Sequence, residues 1–131
     1  GNYNALAKIA KSLLVFPSIK NERSMLYIEN LCEFLCQIML LGEGGVFWPQ
    51  NSEYTNTSEL VRIIGDISGH KVYLSPAMNF VVYLTARIPG KISNLVNKAF
   101  GNMTFDQSMS QYDFDYQLFS LRDSIERTEN K

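Results

Sequence analysis

The sequence predicts an α/β fold: a small, mostly parallel sheet with five to six helices. Three observations in its 131 residues predict it. Apolar residues recur at helical spacing in several separate stretches. Short apolar and β-branched runs fall between the early ones. Glycine, proline or a capping residue stands at most boundaries. One domain is expected at this length, and it buries roughly two-thirds of its unfolded surface.

Leu6, Ile9, Ala10, Leu13 and Leu14 form the stripe of a first helix, with Asn4 as its N-cap. Val15-Phe16 then runs extended into Pro17. Asn21 and Glu22 precede a predicted strand, Ser24–Ile28. Leu31, Phe34, Leu35, Ile38 and Met39 give the second helix, ended by Gly42 and the Gly44-Gly45 pair. Val46-Phe47-Trp48 reads as a short strand stopped by Pro49, with Trp48 in the core.

Asn56 stands three residues before Glu59, a capping signal for a third helix carrying Leu60, Ile63, Ile64 and Ile67 and closed by Gly69. Lys71–Leu74 reads as a strand. Ser75-Pro76 starts a fourth helix, with proline at its favoured first position, and Pro89-Gly90 breaks it. Ile92, Leu95, Val96, Ala99 and Phe100 form the stripe of a fifth, closed by Gly101. Met103–Phe105 reads as a short strand. Ser120 with Asp123 opens a terminal helix holding Leu121 and Ile125. A three-stranded sheet beside this many helices leaves one of its flanks bare.

Hydrophobic residues make up 46% of the chain and charged residues 19%, ordinary for a globular protein. The formal net charge is −1, and no basic cluster exceeds two residues. That excludes nucleic acid and anionic membranes as main partners. One anionic small molecule needs only one or two local cations and stays open. No apolar run approaches the ~20 residues of a membrane span, and no secretory leader is visible. Cys32 and Cys36 read as two core thiols of a reducing, cytoplasmic compartment. His70 reads as a solvated helix-end residue. Asp113 and Asp115, between Tyr112 and Tyr116, read as a solvated turn.

The common catalytic signatures do not occur. No glycine-rich phosphate loop follows a strand, and Gly42-x-Gly44-Gly45 follows a helix instead. No Tyr-x-x-x-Lys pair, Gly-x-Ser-x-Gly elbow or metal-ligand cluster occurs either.

The stretch Arg23-Ser24-Met25-Leu26-Tyr27-Ile28-Glu29-Asn30-Leu31 resembles the R-x-x-x-h-V-x-D-L signature of extended short-chain dehydrogenase/reductases that rework nucleotide sugars. Gly44-Gly45-Val46-Phe47-Trp48-Pro49-Gln50-Asn51 and Phe100-Gly101-Asn102-Met103-Thr104-Phe105-Asp106 are similar to stretches of bacterial epimerases of surface-polysaccharide synthesis. Leu121–Thr128 is similar to their closing helix.

The resemblance spans nearly the whole chain and implies a substrate-binding C-terminal domain over residues 1–131. The NAD-binding Rossmann domain would lie upstream, together with the catalytic tyrosine and lysine. It implies an NAD-dependent UDP-sugar epimerase acting at C4, which is a homodimer in its complete form. A dehydratase or reductase acting on a dTDP- or GDP-sugar is the rival within the superfamily. A non-catalytic binding module is the rival outside it.

The resemblance also assigns site roles. Arg23 matches the arginine that grips the nucleotide phosphates, which suits a planar guanidinium fork. Asn4 matches an asparagine that meets the diphosphate. Leu14 and Phe16 match positions whose backbone pairs with the uracil edge. Met25 stands where many relatives carry tyrosine. Asn30 stands where the usual residue is Asp and keeps a capping side chain at the helix start. Arg87 echoes a second phosphate ligand, although Lys91 replaces an acid there.

Overall fold

Helix-forming sequence dominates the chain. The computed structural model describes residues 2–87 and 90–130, without the side chains of Asn2, Lys91, Ile92, Ser93 and Leu95. Pro89 and the Ile92 and Leu95 side chains of the expected fifth stripe thus lie outside the described residues. Six α-helices and one two-stranded parallel sheet make a mixed α/β fold among the described residues.

Helix α1 spans Asn2–Ala10 and strand β1 Val15–Pro17. Helices α2 and α3 span Ile28–Leu41 and Thr57–Ile67. Strand β2 spans Tyr73–Ser75, followed by a 3-10 turn over Pro76–Met78 and helix α4 over Asn79–Ala86. Helices α5 and α6 span Lys91–Phe100 and Leu121–Glu129.

The sheet is one strand smaller than expected. β1 pairs with β2 in parallel, Val15 opposite Tyr73 and Pro17 opposite Ser75. The Ser24–Ile28 strand does not form, because Asn51 takes its backbone groups. Asn51 N–H donates to the Met25 carbonyl at 2.7 Å, and Asn51 Oδ1 accepts from Tyr27 N–H at 3.0 Å. Val46–Trp48 forms no strand either: Trp48 N–H goes to the Tyr112 hydroxyl at 2.9 Å instead of a ladder. Met103–Phe105 shrinks to a single bridge to Arg23.

The core lies around α3, which packs against α1, α6 and both strands. Leu60, Val61, Ile63 and Ile64 join Ala7, Ala10, Phe16, Val72, Leu121 and Ile125 in one buried cluster. The caps explain where these helices begin. Asn56 Oδ1 accepts from the Ser58 and Glu59 N–H groups. Ser120 and Asp123 form a reciprocal capping box on α6.

Helix α2 is held differently. Its C-terminus closes at Gly42, whose left-handed φ of 67° suits glycine. Phe34 seats it in an aromatic cluster with Phe47, Tyr112, Phe114 and Tyr116. Asn30 does not cap the helix: α2 starts at Ile28, and Asn30 lies inside it, fully buried. Its amide exchanges hydrogen bonds with the main chain of Phe119 and donates to Asn51 Oδ1.

Four further readings are corrected. Asn4 lies within α1 rather than capping it, since the helix already includes Asn2. Cys32 and Cys36 are exposed free thiols, because they sit on the outer face of α2 with Leu35 and Met39. Trp48 is 41% exposed, its ring lying against Phe105 with centroids 5.3 Å apart. His70 is half-buried, with Nε2 3.2 Å from the Leu13 carbonyl.

Candidate functional site

Arg23 sits where three extended segments meet. Its N–H donates to the Thr55 carbonyl and its carbonyl accepts from Thr55 N–H, both at 2.9 Å. On the other side, Met103 bridges it in parallel: Ser24 N–H donates to the Met103 carbonyl and Met103 N–H to the Glu22 carbonyl. A base pinned from both sides gives the long side chain a fixed origin.

One edge of the guanidinium is also fixed. Nη1 donates to the carbonyls of Lys98 at 2.9 Å and Gly101 at 3.0 Å, at the C-terminal end of α5. A cation belongs there, because the last carbonyls of a helix carry partial negative charge. The other edge, Nε and Nη2, has no hydrogen-bond partner among the described residues, and no carboxylate pairs with Arg23. That edge is the side-on fork which meets two oxygens of one phosphate or carboxylate.

Arg23 lines a cleft of about 490 Å³ between α1, α3 and α5. Phe16, Met25, Leu60 and Phe100 supply apolar wall, and Thr55 and Lys98 also belong to the lining. Phe16 and Phe100 lie with ring centroids 5.8 Å apart. The cleft is therefore mostly apolar with Arg23 in its lining, the character of a site for an anion carrying a flat or apolar group.

The structure brings Arg23, Met25 and Phe16 together and leaves the other sequence-derived candidates outside. Asn4 is exposed on α1, although its neighbours Tyr3 and Ala5 line the cleft. The Leu14 side chain is exposed, and its carbonyl accepts from Tyr73 N–H at 2.8 Å as the sheet begins. Arg87 is exposed at the end of α4, its N–H turned back to the Leu84 carbonyl. Thr55 and Lys98 are additions that no sequence pattern flagged, since neither belongs to a motif and only the bridges and α5 carry them to Arg23.

Tyr3, on the rim of the cleft, ties α1 to α6. Its hydroxyl donates to Glu129 Oε1 at 2.7 Å, and Lys11 Nζ lies 2.6 Å from Glu129 Oε2. Burial and the hydrogen bond to Glu129 raise the Tyr3 pKa, so the phenol stays neutral. Burial pushes the Glu129 carboxyl up, but the hydrogen bonds from Lys11 and Tyr3 outweigh it and hold the group below its ordinary value.

A second hollow, of about 560 Å³, lies along Tyr112–Gln117 and includes Asp113 and Asp115. It carries carboxylates and no cation. Two of its three glutamines already donate elsewhere, Gln107 Nε2 to the Ser52 carbonyl and Gln117 Nε2 to the Gln50 carbonyl. Anion chemistry therefore points to Arg23. No group of three or more metal-ligating side chains occurs among the described residues. No helix among them is long and apolar enough to cross a membrane.

No protein-family model matches the chain, and no curated protein or solved structure matches it either.

Proposed function

We propose that this chain forms the nucleotide-sugar-binding part of an NAD-dependent UDP-sugar epimerase, with C4 of the sugar as the reacting centre. One observation carries the reading: Arg23 has one guanidinium edge fixed to α5 and the other unpaired, in an apolar cleft. The motif that suggested a phosphate-gripping arginine falls on that residue. On this reading the free edge takes the diphosphate, and the apolar wall of Phe16 and Met25 takes the neighbouring group.

NAD itself does not fit the described residues. A dinucleotide needs a strand, a glycine turn and a helix whose N-terminus meets the pyrophosphate. Here β1 runs into Ser18-Ile19, and β2 runs into the Pro76 turn. On this reading a separate Rossmann domain supplies the cofactor and carries the hydride step. The exposed apolar face of α2 is the seat proposed for that domain. The complete enzyme is proposed as a cytoplasmic homodimer.

Titration calorimetry with UDP tests the site. Arg23→Ala is expected to weaken UDP binding roughly tenfold to a hundredfold, since a hydrogen bond to a charged group contributes about 1.5–3 kcal/mol. Arg23→Lys restores only part, because an ammonium lacks the fork. Arg87→Ala has the smaller effect. UDP affinity within about twofold of wild type in Arg23→Ala, on a folded protein, would remove the assignment.

A further inference from the structure

We propose that the outward face of α4 docks on an anionic lipid surface. Phe80, Val81, Tyr83 and Leu84 enter the boundary between headgroups and acyl chains, and Arg87 meets lipid phosphate. The inference is separate from the nucleotide-sugar reading and does not rest on it.

Helix α4 carries its apolar residues outward. Phe80, Val81, Tyr83 and Leu84 are all exposed, whereas Val82 is buried. At 3.6 residues per turn those exposed side chains share one side of the helix. Arg87, whose backbone is still helical, is exposed on the same side. The helix itself holds no charged residue. Its pose is fixed at the start by Asn79, whose Oδ1 accepts from Ser18 N–H at 2.8 Å and whose Nδ2 donates to the Ser18 carbonyl at 2.9 Å. α5 packs against it. A folded chain rarely leaves such a face bare, and aromatic side chains such as Phe80 and Tyr83 suit the level of lipid headgroups.

Charge decides the occupant. The formal net charge of −1 averages over unlike regions. No Asp or Glu stands between Asp66 and Asp106, and that stretch holds Lys71, Arg87, Lys91 and Lys98. Lys71, Arg87 and Lys98 are exposed and join no salt bridge among the described residues. An apolar helix face within an acid-free, basic stretch is the pattern of a helix lying in the interface of an anionic bilayer. The whole-chain charge that argued against anionic membranes therefore does not describe this side. α2 is the contrast. Its apolar residues share the helix with Glu29 and Glu33 and with no Lys or Arg, so lipid phosphate repels it and a protein domain suits it. Nucleic acid suits neither, because its phosphates are met by many cations and not by a row of apolar side chains. At 8 residues α4 is far short of a span, so the contact is peripheral.

Flotation with vesicles of mixed phosphatidylglycerol and phosphatidylcholine tests the face, with Tm measured on every variant. Wild type is expected to bind these vesicles, and to bind phosphatidylcholine alone about fivefold more weakly or less. Phe80→Ser/Leu84→Ser should weaken binding about tenfold or more, since two apolar side chains no longer enter the bilayer. Arg87→Ala should weaken it about fivefold, and it carries the same test should the double variant fail to fold. Both should keep a wild-type Tm, because the replaced groups are exposed. Leu35→Ser/Met39→Ser, on α2, should bind vesicles as wild type does. No binding by wild type to the mixed vesicles, or binding that Phe80→Ser/Leu84→Ser and Arg87→Ala leave intact, would overturn the proposal. Equal binding to phosphatidylcholine alone would overturn the part assigned to charge. Self-association that Phe80→Ser/Leu84→Ser abolishes, without vesicle binding by wild type, would show that a second copy covers α4 instead.

Discussion

Helices α2 and α3 are the two strongly apolar helices of the chain's first half, and they end in opposite environments. α3 buries Thr57, Ser58, Leu60, Val61, Ile63, Ile64 and Gly65, with α1, α6 and the sheet around it. α2 is longer and buries only Asn30 and Phe34. Ile28, Leu35, Met39, Leu40 and Leu41 stand exposed along it. Apolar content alone therefore does not decide burial. α3 carries its apolar residues on a stripe that neighbouring elements can cover. α2 is apolar around most of its circumference, and it meets the rest of the fold chiefly through the aromatic cluster at Phe34 and the buried Asn30 amide. A wide exposed apolar face on a folded chain marks an interaction surface.

The largest expected effect falls on α3. Ile64 is fully buried, so Ile64→Ala is expected to cost about 3–4 kcal/mol of stability by chemical denaturation. Leu40 is 81% exposed, and Leu40→Ala should stay within about 0.5 kcal/mol of wild type. Comparable losses at the two positions would break the contrast.

Gly65 sharpens it. A Cβ there would meet the His70 carbonyl oxygen at 2.6 Å and Val72 Cγ2 at 2.7 Å. The first is backbone and cannot swing away, so Gly65→Ala should lose about 2–3 kcal/mol through overpacking. A Cβ on Gly44, just beyond α2, meets nothing within 4 Å, and Gly44→Ala should leave Tm nearly unchanged.

The contrast also explains what was legible in the sequence. The third helix, its Asn56 cap and the Ser120–Asp123 start of α6 were readable, because spacing and capping are local. So were β1 and the position of β2, as short extended runs beside proline. The strands at Ser24–Ile28 and Val46–Trp48 were not. Their fate turned on Asn51 and Tyr112 capturing backbone groups across long sequence separations. Arg23 was legible as a residue of interest, whereas its pairing with Thr55 and its hold on α5 were not, because both depend on tertiary bridges. The exposure of Cys32 and Cys36 followed from the same blind spot as α2 itself: periodicity names a face without naming its neighbour.

Charge at the two helices should differ as burial does. The Glu129 side chain, 7% exposed, joins α1 to α6 over α3. Its pKa is held below the ordinary 4.5, so its contribution is full above that pH and fades as pH falls through the lowered folded value. Glu129→Gln should therefore cost about 1 kcal/mol at neutral pH, and the gap to wild type should narrow on acidification below pH 4.5. Glu29, in the first turn of α2, binds Arg127 near the surface. Glu29→Gln should barely move stability at any pH. A gap for Glu129→Gln that persists undiminished at pH 3 would show that its carboxylate charge is not what binds the helices.

The smallest effect on stability, and the clearest on behaviour, should come from the outer face of α2. Met39 and Leu40 are 71% and 81% exposed. Replacing both with lysine removes no buried contact, so the unfolding free energy should shift by no more than about 0.5 kcal/mol. Lysine also keeps good helix propensity, and near the C-terminus of α2 its charge suits the helix dipole. What should change is the surface. Wild-type protein should bind a hydrophobic dye while folded and self-associate as concentration rises, because apolar patches beyond a few hundred Å² rarely stay bare. The double lysine variant should lose much of the dye signal and sediment as a monomer. If wild type is already monomeric at high concentration and binds no dye, α2 is only a solvated helix and does not seat another domain. If the lysine variant instead unfolds, those side chains are buried in solution, and the contrast between α2 and α3 fails at its base.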